Sequence, residues 1–120
     1  LDAKERWRKL HDETYGDIKP VVLSEPPRHV LAIAEDIARD EGWEIVLNDP
    51  AGGRLEAVDE VMLFRFKDDV LVQVSPVRLA NGDRGSRVDM RSVSRVGQSD
   101  IGINAKRIRS FLAKLEARSS

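Results

Sequence analysis

The chain has 120 residues, of which 41% are hydrophobic and 34% are charged, and its formal net charge is −1. This length suits one domain of roughly 100–200 residues, and the apolar fraction is too high for an intrinsically disordered protein. The absence of cysteine excludes disulfide frameworks and thiolate catalysis, and a pI near 6.2 argues against a general nucleic-acid binder.

The N-terminal part is predicted to contribute a peripheral segment and an edge strand. Residues 1–16 are highly charged and carry a thin apolar stripe at near-helical spacing, so we expect a short helix at the margin of a single domain spanning residues 1–120. Residues 18–23 have the composition of a strand. Because Pro20 has no backbone N–H to donate, this strand should lie at a sheet edge or begin after the proline.

The next segment has the pattern of an amphipathic helix. From Val30, apolar residues recur at i, i+3, i+4, i+7 and i+8, which is one face of a helix over about residues 27–41. Two prolines suit its first turn, with Ser24 or Glu25 near the cap, and Gly42 is placed to end it. An amphipathic helix needs an apolar surface to cover, and the following segments predict a sheet.

A hairpin is predicted next. Residues 43–48 and 54–58 alternate between apolar and polar side chains, and the intervening Asp-Pro-Ala-Gly-Gly is strong turn sequence. In the first of these strands we expect Trp43, Ile45 and Leu47 to face the core together.

Three further β-rich runs complete the predicted sheet. Residues 61–66 and 70–74 are separated by Lys67-Asp68-Asp69, which we interpret as a tight turn, and Pro76 is expected to end the second run. A last strand is predicted over residues 87–96.

The chain is predicted to close with a second amphipathic helix over about residues 100–117, with Ser99 or Asp100 at its cap. The predicted order is β-α-β-β-β-β-β-α. Short connections between successive strands favour an antiparallel sheet. The two helices need one shared apolar surface, so we expect an α+β fold in which an antiparallel sheet of about five to six strands carries both helices on one face.

The charge is unevenly divided along the chain. Residues 1–77 carry a net charge of −7 and residues 78–120 a net charge of +6. Such asymmetry is a cue for contact with nucleic acid or a membrane surface, but two halves that interleave in one domain would neutralise each other. The chain has few aromatic residues for an RNA-stacking platform, so nucleic acid is not expected as a partner. They are Trp7, Tyr15, Trp43, Phe64, Phe66 and Phe111. The basic outer face of the terminal helix could still contact anionic headgroups.

Catalytic and metal-binding patterns are weak. The only histidines, His11 and His29, lie in charged surroundings far apart in sequence, and no Gly-x-Ser-x-Gly nucleophile motif is present. The segment 97–102 has glycines spaced as in a phosphate-binding loop but lacks the Lys-Ser/Thr that follows them there. We therefore expect no metal, no cofactor and no catalytic residues.

One pattern does indicate a ligand. Arg87, Arg91 and Arg95 share one face of the last predicted strand with Asp89, and alternate side chains on a strand are roughly 6.6–6.8 Å apart. A glycine-containing loop and a helix N-terminus follow, and helix N-termini attract anions. Arg107 on the terminal helix could also reach inward. These groups could hold phosphate, sulfate or a carboxylate.

The alternative is purely structural. The same arginines could pair with nearby acidic residues as a ladder across the sheet. Asp100 would also repel an anion bound at the helix N-terminus. The acidic residues concerned are Asp68, Asp69, Asp89 and Asp100.

Two segments resemble a known family. They are Phe66-Lys67-Asp68-Asp69-Val70 and the run from Ser86 to Ile108, SRVDMRSVSRVGQSDIGINAKRI. Both are similar to the pattern of the bacterial family known as domain of unknown function 1499. Residues 15–20 and 42–45 fit that family too, so the resemblance covers about residues 11–115. The chain departs from it at Arg65, where the family often has glycine.

The resemblance implies no established activity. It adds family-motif positions to those reached from spacing. The candidate ligand-binding residues are then Lys67, Arg87, Arg91, Arg95, Ser99, Asn104 and Arg107. The candidate structural polar network is Asp68, Asp69, Asp89, Ser92, Ser94 and Asp100. Family members commonly carry upstream membrane segments or lipoprotein-like signals, and the chain begins at Leu1. The resemblance therefore implies the soluble domain of an envelope-associated bacterial protein.

The leading hypothesis is a non-catalytic domain that binds a partner protein or a small anionic ligand. A structural or assembly module is the alternative, and an enzyme of unknown reaction is the third.

Overall fold

The chain folds as a β-sheet that carries two helices. The computed structural model describes residues 18–61, 66–94 and 101–119, and the helix predicted within residues 1–16 lies outside them. The elements in chain order are β1 (Val21–Leu23), α1 (Pro27–Asp40), β2 (Glu44–Asp49), β3 (Arg54–Val61), β4 (Phe66–Arg78), β5 (Arg84–Ser94) and α2 (Ile101–Ser119).

The five described strands form one antiparallel sheet in the order β1-β5-β4-β3-β2. The hairpin between β2 and β3 is present, with Asp49 paired to Arg54 at its end. β1 begins directly after Pro20 and lies at a sheet edge, as the missing N–H of the proline predicts. The predicted α+β class with an antiparallel sheet is confirmed.

Both helices pack on one face of the sheet, and the core lies between the two layers. Side chains alternate between faces along each strand, and through the middle of β3, β4 and β5 every second residue is buried against the helices. Fully burying one Val, Leu, Ile or Phe side chain stabilises a fold by about 1.5–3 kcal/mol. The largest completely buried apolar side chains are Val30, Ile37, Leu55, Val72, Val88, Ile108, Phe111 and Leu115.

The first helix begins and ends close to its predicted limits. Its N-cap is Pro26, which makes no side-chain cap hydrogen bond, so the expectation of Ser24 or Glu25 near the cap is not met at the cap position itself. Pro27 occupies the first helical position, where a missing N–H has no cost. Gly42 adopts a φ of +82° after the last turn, a conformation that favours glycine, and the chain then turns into β2.

Two predictions about β4 are wrong. Lys67-Asp68-Asp69 is not a turn, because Asp68 pairs with Ser94 and Asp69 with Val93 inside the sheet. The two ends of the predicted strand 61–66 belong to different strands, because Val61 at the end of β3 and Phe66 at the start of β4 are cross-strand partners. Residues 62–65 of that prediction lie outside the described part of the chain. The aspartates indicated a turn because they are rare inside strands.

Pro76 does not end β4, which continues to Arg78. β3 pairs with β4 only as far as Gln73, so Pro76 has a paired strand on its β5 side alone. Its missing N–H therefore interrupts no hydrogen bonds between β3 and β4.

A β-bulge changes which residues of β2 face the core. The register shifts between Ile45 and Leu47, so Leu47 lies opposite Glu56 instead of continuing the inward alternation. Leu47 is exposed, contrary to the prediction that it faces the core with Trp43.

Candidate functional site

A polar cluster interrupts the apolar core where α2 crosses the sheet. Arg107 extends from α2 toward β3 and β4, and its Nη2 lies 3.0 Å from Asp59 Oδ2 and 2.8 Å from Asp68 Oδ2. Its Nε also donates to Asp59 Oδ2 at 3.1 Å. The side chains of Arg107 and Asp68 are only 9% and 5% exposed, whereas Asp59 is 26% exposed. The ion pair with Asp68 is therefore shielded from water, and Asp59 reaches the surface.

Hydroxyl and amide groups complete this cluster. Arg107 Nη1 donates to Ser92 Oγ at 3.0 Å and to Asn104 Oδ1 at 2.8 Å. Ser92 Oγ donates to Asn104 Oδ1 at 2.7 Å, and Asn104 Nδ2 donates to Ser94 Oγ at 3.1 Å. We call Asp59, Asp68, Ser92, Ser94, Asn104 and Arg107 the Arg107 cluster. It ties α2 to three neighbouring strands.

The positions of these residues follow from the periodicity of their elements. Asp59 and Asp68 are direct cross-strand partners on the helix-covered face, which places two carboxylates side by side. Asn104 and Arg107 lie three residues apart on α2, so both side chains reach the same part of the sheet.

The guanidinium has no hydrogen-bond donor left for a ligand. Arginine offers five N–H donors, and the contacts of Nε, Nη1 and Nη2 to Asp59, Asp68, Ser92 and Asn104 account for all five. Two carboxylates share one guanidinium, so the cluster carries one uncompensated negative charge. Neither property suits the binding of an anion at Arg107.

Five of the predicted site residues lie on the opposite side of the sheet. Alternation along β4 and β5 turns Lys67, Asp69, Arg87, Asp89 and Arg91 away from the helices. We call the surface that they form the helix-free face. Arg87 pairs there with Asp89 through Nε and Oδ2 at 3.2 Å. Arg91 is partly buried and makes no ion pair with any described residue.

The candidate ligand-binding residues are thus divided between two surfaces. Lys67, Arg87 and Arg91 lie on the helix-free face, whereas Asn104 and Arg107 lie in the cluster beneath the helices. Arg87 and Arg91 are four residues apart on one strand, which separates them by roughly 13 Å. That spacing is too wide for one small anion to contact both.

Three predicted residues fall outside the described part of the chain. They are Arg95 and Ser99, proposed for ligand binding, and Asp100, proposed for the structural network.

A cleft of about 360 Å³ opens beside the Arg107 cluster. One side is formed by α2, and the other by residues from the end of α1 to β3, among them Glu41, Trp43 and Asp59. Trp43 stacks on Phe111 with ring centroids 5.4 Å apart. The cleft therefore combines an aromatic floor with charged walls.

The sequence prediction missed Asp59. In the strand predicted over residues 54–58, Leu55 and Ala57 are buried, and one further step of the same alternation reaches Asp59. A strand extended by one residue would have included it.

Neither a metal site nor a membrane span is found in the ranges described. No group of three or more His, Asp or Glu side chains there could hold a metal ion. No helix among those residues is long and apolar enough to cross a membrane.

Comparison with known protein families gives a match over nearly the whole chain. The family model described as "Protein of unknown function (DUF1499)" matches residues 3–115. A search of curated proteins finds no match to the chain. The matched region includes the Arg107 cluster, the cleft and the helix-free face.

Proposed function

The chain belongs to the family of proteins of unknown function DUF1499, and since that family has no known function, we propose a binding function from the geometry. The domain is a non-catalytic module of an envelope-associated protein. Its helix-free face binds an extended acidic segment of a partner protein. The placement in the envelope is supported by what the family resemblance implies.

The observation that carries this proposal is the partial burial of Arg91 together with its lack of an ion pair among the described residues. Arg91 is a partly buried cation, and no described residue compensates its charge with an ion pair. A carboxylate of a partner would supply that compensation through charge-assisted hydrogen bonds.

The geometry favours an extended partner over a small ligand. The separation of roughly 13 Å between Arg87 and Arg91 equals the distance between residues i and i+4 of an extended peptide. Leu71 lies directly opposite Arg91 on β4 and adds apolar area beside that guanidinium.

The helices are less suited to an anionic membrane. Lys114 pairs with Glu41, and Arg118 pairs with Asp40 at 2.9 Å, so part of the basic charge of α2 is neutralised by the C-terminal end of α1. We therefore place the binding surface on the sheet and not on α2.

The test is an NMR titration of the ¹⁵N-labelled chain with the peptide acetyl-(Thr-Glu)₄-amide at low salt. Shifts should concentrate on β4 and β5 around Arg91, and Arg91→Gln should weaken binding about tenfold, the equivalent of one charge-assisted hydrogen bond. Arg118→Gln, a matched change on α2, should leave affinity unchanged.

Three outcomes would contradict the proposal. One is the absence of shifts on the helix-free face, and another is equal affinity of the Arg91→Gln variant. The third is tighter binding to inorganic phosphate or to phosphatidylglycerol vesicles than to the peptide, which would favour a small anion or a membrane.

A further inference from the structure

The cleft beside α2 has two chemically different walls. Asp59 and Glu41 line one side, and Lys106 and Ser110 line the other. The volume of about 360 Å³ falls within the range of small-molecule sites, roughly 300–1,000 Å³.

The wall formed by Asp59 is a hydrogen-bond acceptor. Both contacts of Asp59 to Arg107 use Oδ2, and Oδ1 contacts no other described residue. The uncompensated negative charge of the Arg107 cluster is accessible here, because Asp68 is buried and Asp59 is not. Glu41 contributes a second carboxylate, one oxygen of which contacts Lys114. This wall suits a primary ammonium.

The wall formed by α2 is a hydrogen-bond donor. Lys106 is exposed and makes no ion pair with the described residues. Ser110 lies one helical turn further along the same side of α2 and adds a hydroxyl. Since the donors of Arg107 are all used, Lys106 is the cation that an incoming carboxylate would meet.

The floor between the two walls is apolar and fixed. Trp43 and Phe111 stack with an interplanar angle of 12° and are almost fully buried. Ile103 lies at the rim with 47% of its surface exposed. An apolar side chain of a ligand would lie against these residues.

We propose that this cleft binds a small zwitterion with an apolar side chain, in chemical terms an apolar α-amino acid. Its ammonium contacts Asp59, its carboxylate contacts Lys106 and Ser110, and its side chain lies against Ile103 and the aromatic floor. A simple cation would be repelled by Lys106, and a simple anion by Asp59. The site is separate from the helix-free face, so it goes beyond the partner binding proposed above.

The test is an NMR titration with L-leucine, L-leucine methyl ester and N-acetyl-L-leucine, followed at the indole N–H of Trp43. The free amino acid should shift this resonance at millimolar concentration. The methyl ester lacks the carboxylate and the acetyl derivative lacks the ammonium, so each should bind at least tenfold more weakly, a loss expected for one charge-assisted contact.

Two variants test the contribution of each wall to leucine binding. Lys106→Gln should weaken leucine binding about tenfold without affecting the fold, since Lys106 is exposed. Asp59→Asn should weaken it similarly, and the far-UV circular dichroism of that variant reports whether the secondary structure is retained. Arg118→Gln, at an exposed position near the end of the same helix, is the control and should bind leucine normally.

The proposal fails if leucine leaves the Trp43 resonance unchanged, if the blocked derivatives bind as well as leucine, or if Lys106→Gln binds with unchanged affinity. None of these results depends on the acidic peptide, so the two binding proposals can fail separately.

Discussion

Replacing Arg107 by methionine should destabilise the fold far more than an ordinary surface substitution. Methionine keeps most of the length of the side chain and removes its charge. Asp59 and Asp68 then face each other as cross-strand partners without a cation between them. Like charges directly opposite each other in a sheet are destabilising.

The magnitude follows from burial. Removing one partner of a buried ion pair costs about 3–5 kcal/mol, because the remaining charge is left uncompensated. The side chain of Asp68 is 5% exposed, so it belongs to this class. Natural domains are stable by only about 5–15 kcal/mol, so Arg107→Met should remove a large part of the free energy of unfolding. The ion pair of Arg118 with Asp40 is exposed, and Arg118→Met should cost no more than about 1 kcal/mol.

Equilibrium unfolding in urea, followed by far-UV circular dichroism, measures both variants. An unchanged slope m would show that the shift in midpoint is a change of stability and not of the unfolded state. The double variant Asp68→Asn with Arg107→Met should lose less than the two single variants together, by about 0.5–3 kcal/mol. If Arg107→Met loses no more stability than Arg118→Met, the buried ion pair with Asp68 does not stabilise the fold.

Two other changes test the packing by the same urea measurement. Gly53 has a φ of +69° and lies against the carbonyl oxygen of Val74, so Gly53→Ala should lower the free energy of unfolding by more than about 2 kcal/mol. Gly82 has a φ of +89° but lies in open space, so Gly82→Ala should lower it by only about 1–2 kcal/mol. Equal costs would show that the contact with Val74 is unimportant. Phe111→Ala removes a side chain that is 2% exposed and stacked on Trp43, and it should cost about 3–5 kcal/mol; a loss below about 1 kcal/mol would contradict the assigned core.

The periodicity of the sequence was enough to predict most of the fold. Apolar spacing predicted α1 and α2 within one or two residues of their ends, and the β-rich composition of residues 70–74 predicted a strand there, in which Val70, Val72 and Val74 are buried. Those patterns are strong because burial against a second layer constrains every repeat.

The errors have a common physical origin. Asp68 was assigned to a turn because an aspartate inside a buried strand is unfavourable by itself. It is compatible with β4 because Arg107, 39 positions later in the sequence, supplies the counter-charge. Local patterns contain no information about such a partner.

The candidate site shows the same limit. Alternation separated Arg87 and Arg91 from Ser92 and Ser94, and the structure places these two sets on opposite faces of the sheet. Spacing alone did not show that Arg107 uses all its donors internally, because that depends on distances between four elements. It also did not reveal the cleft, which is formed by residues from distant parts of the chain.

The uneven charge of the sequence can now be explained in part by internal pairing. The acidic first 77 residues supply Asp40, Asp59 and Asp68, and the basic remainder supplies Arg107 and Arg118, which pair with them. Charge asymmetry along a chain is therefore a poor guide to external partners when the two parts interleave in one fold. External partners are better indicated by the cations that make no ion pair with any described residue. Arg91 on the helix-free face and Lys106 at the cleft are two such cations, and each of the proposed binding sites rests on one of them.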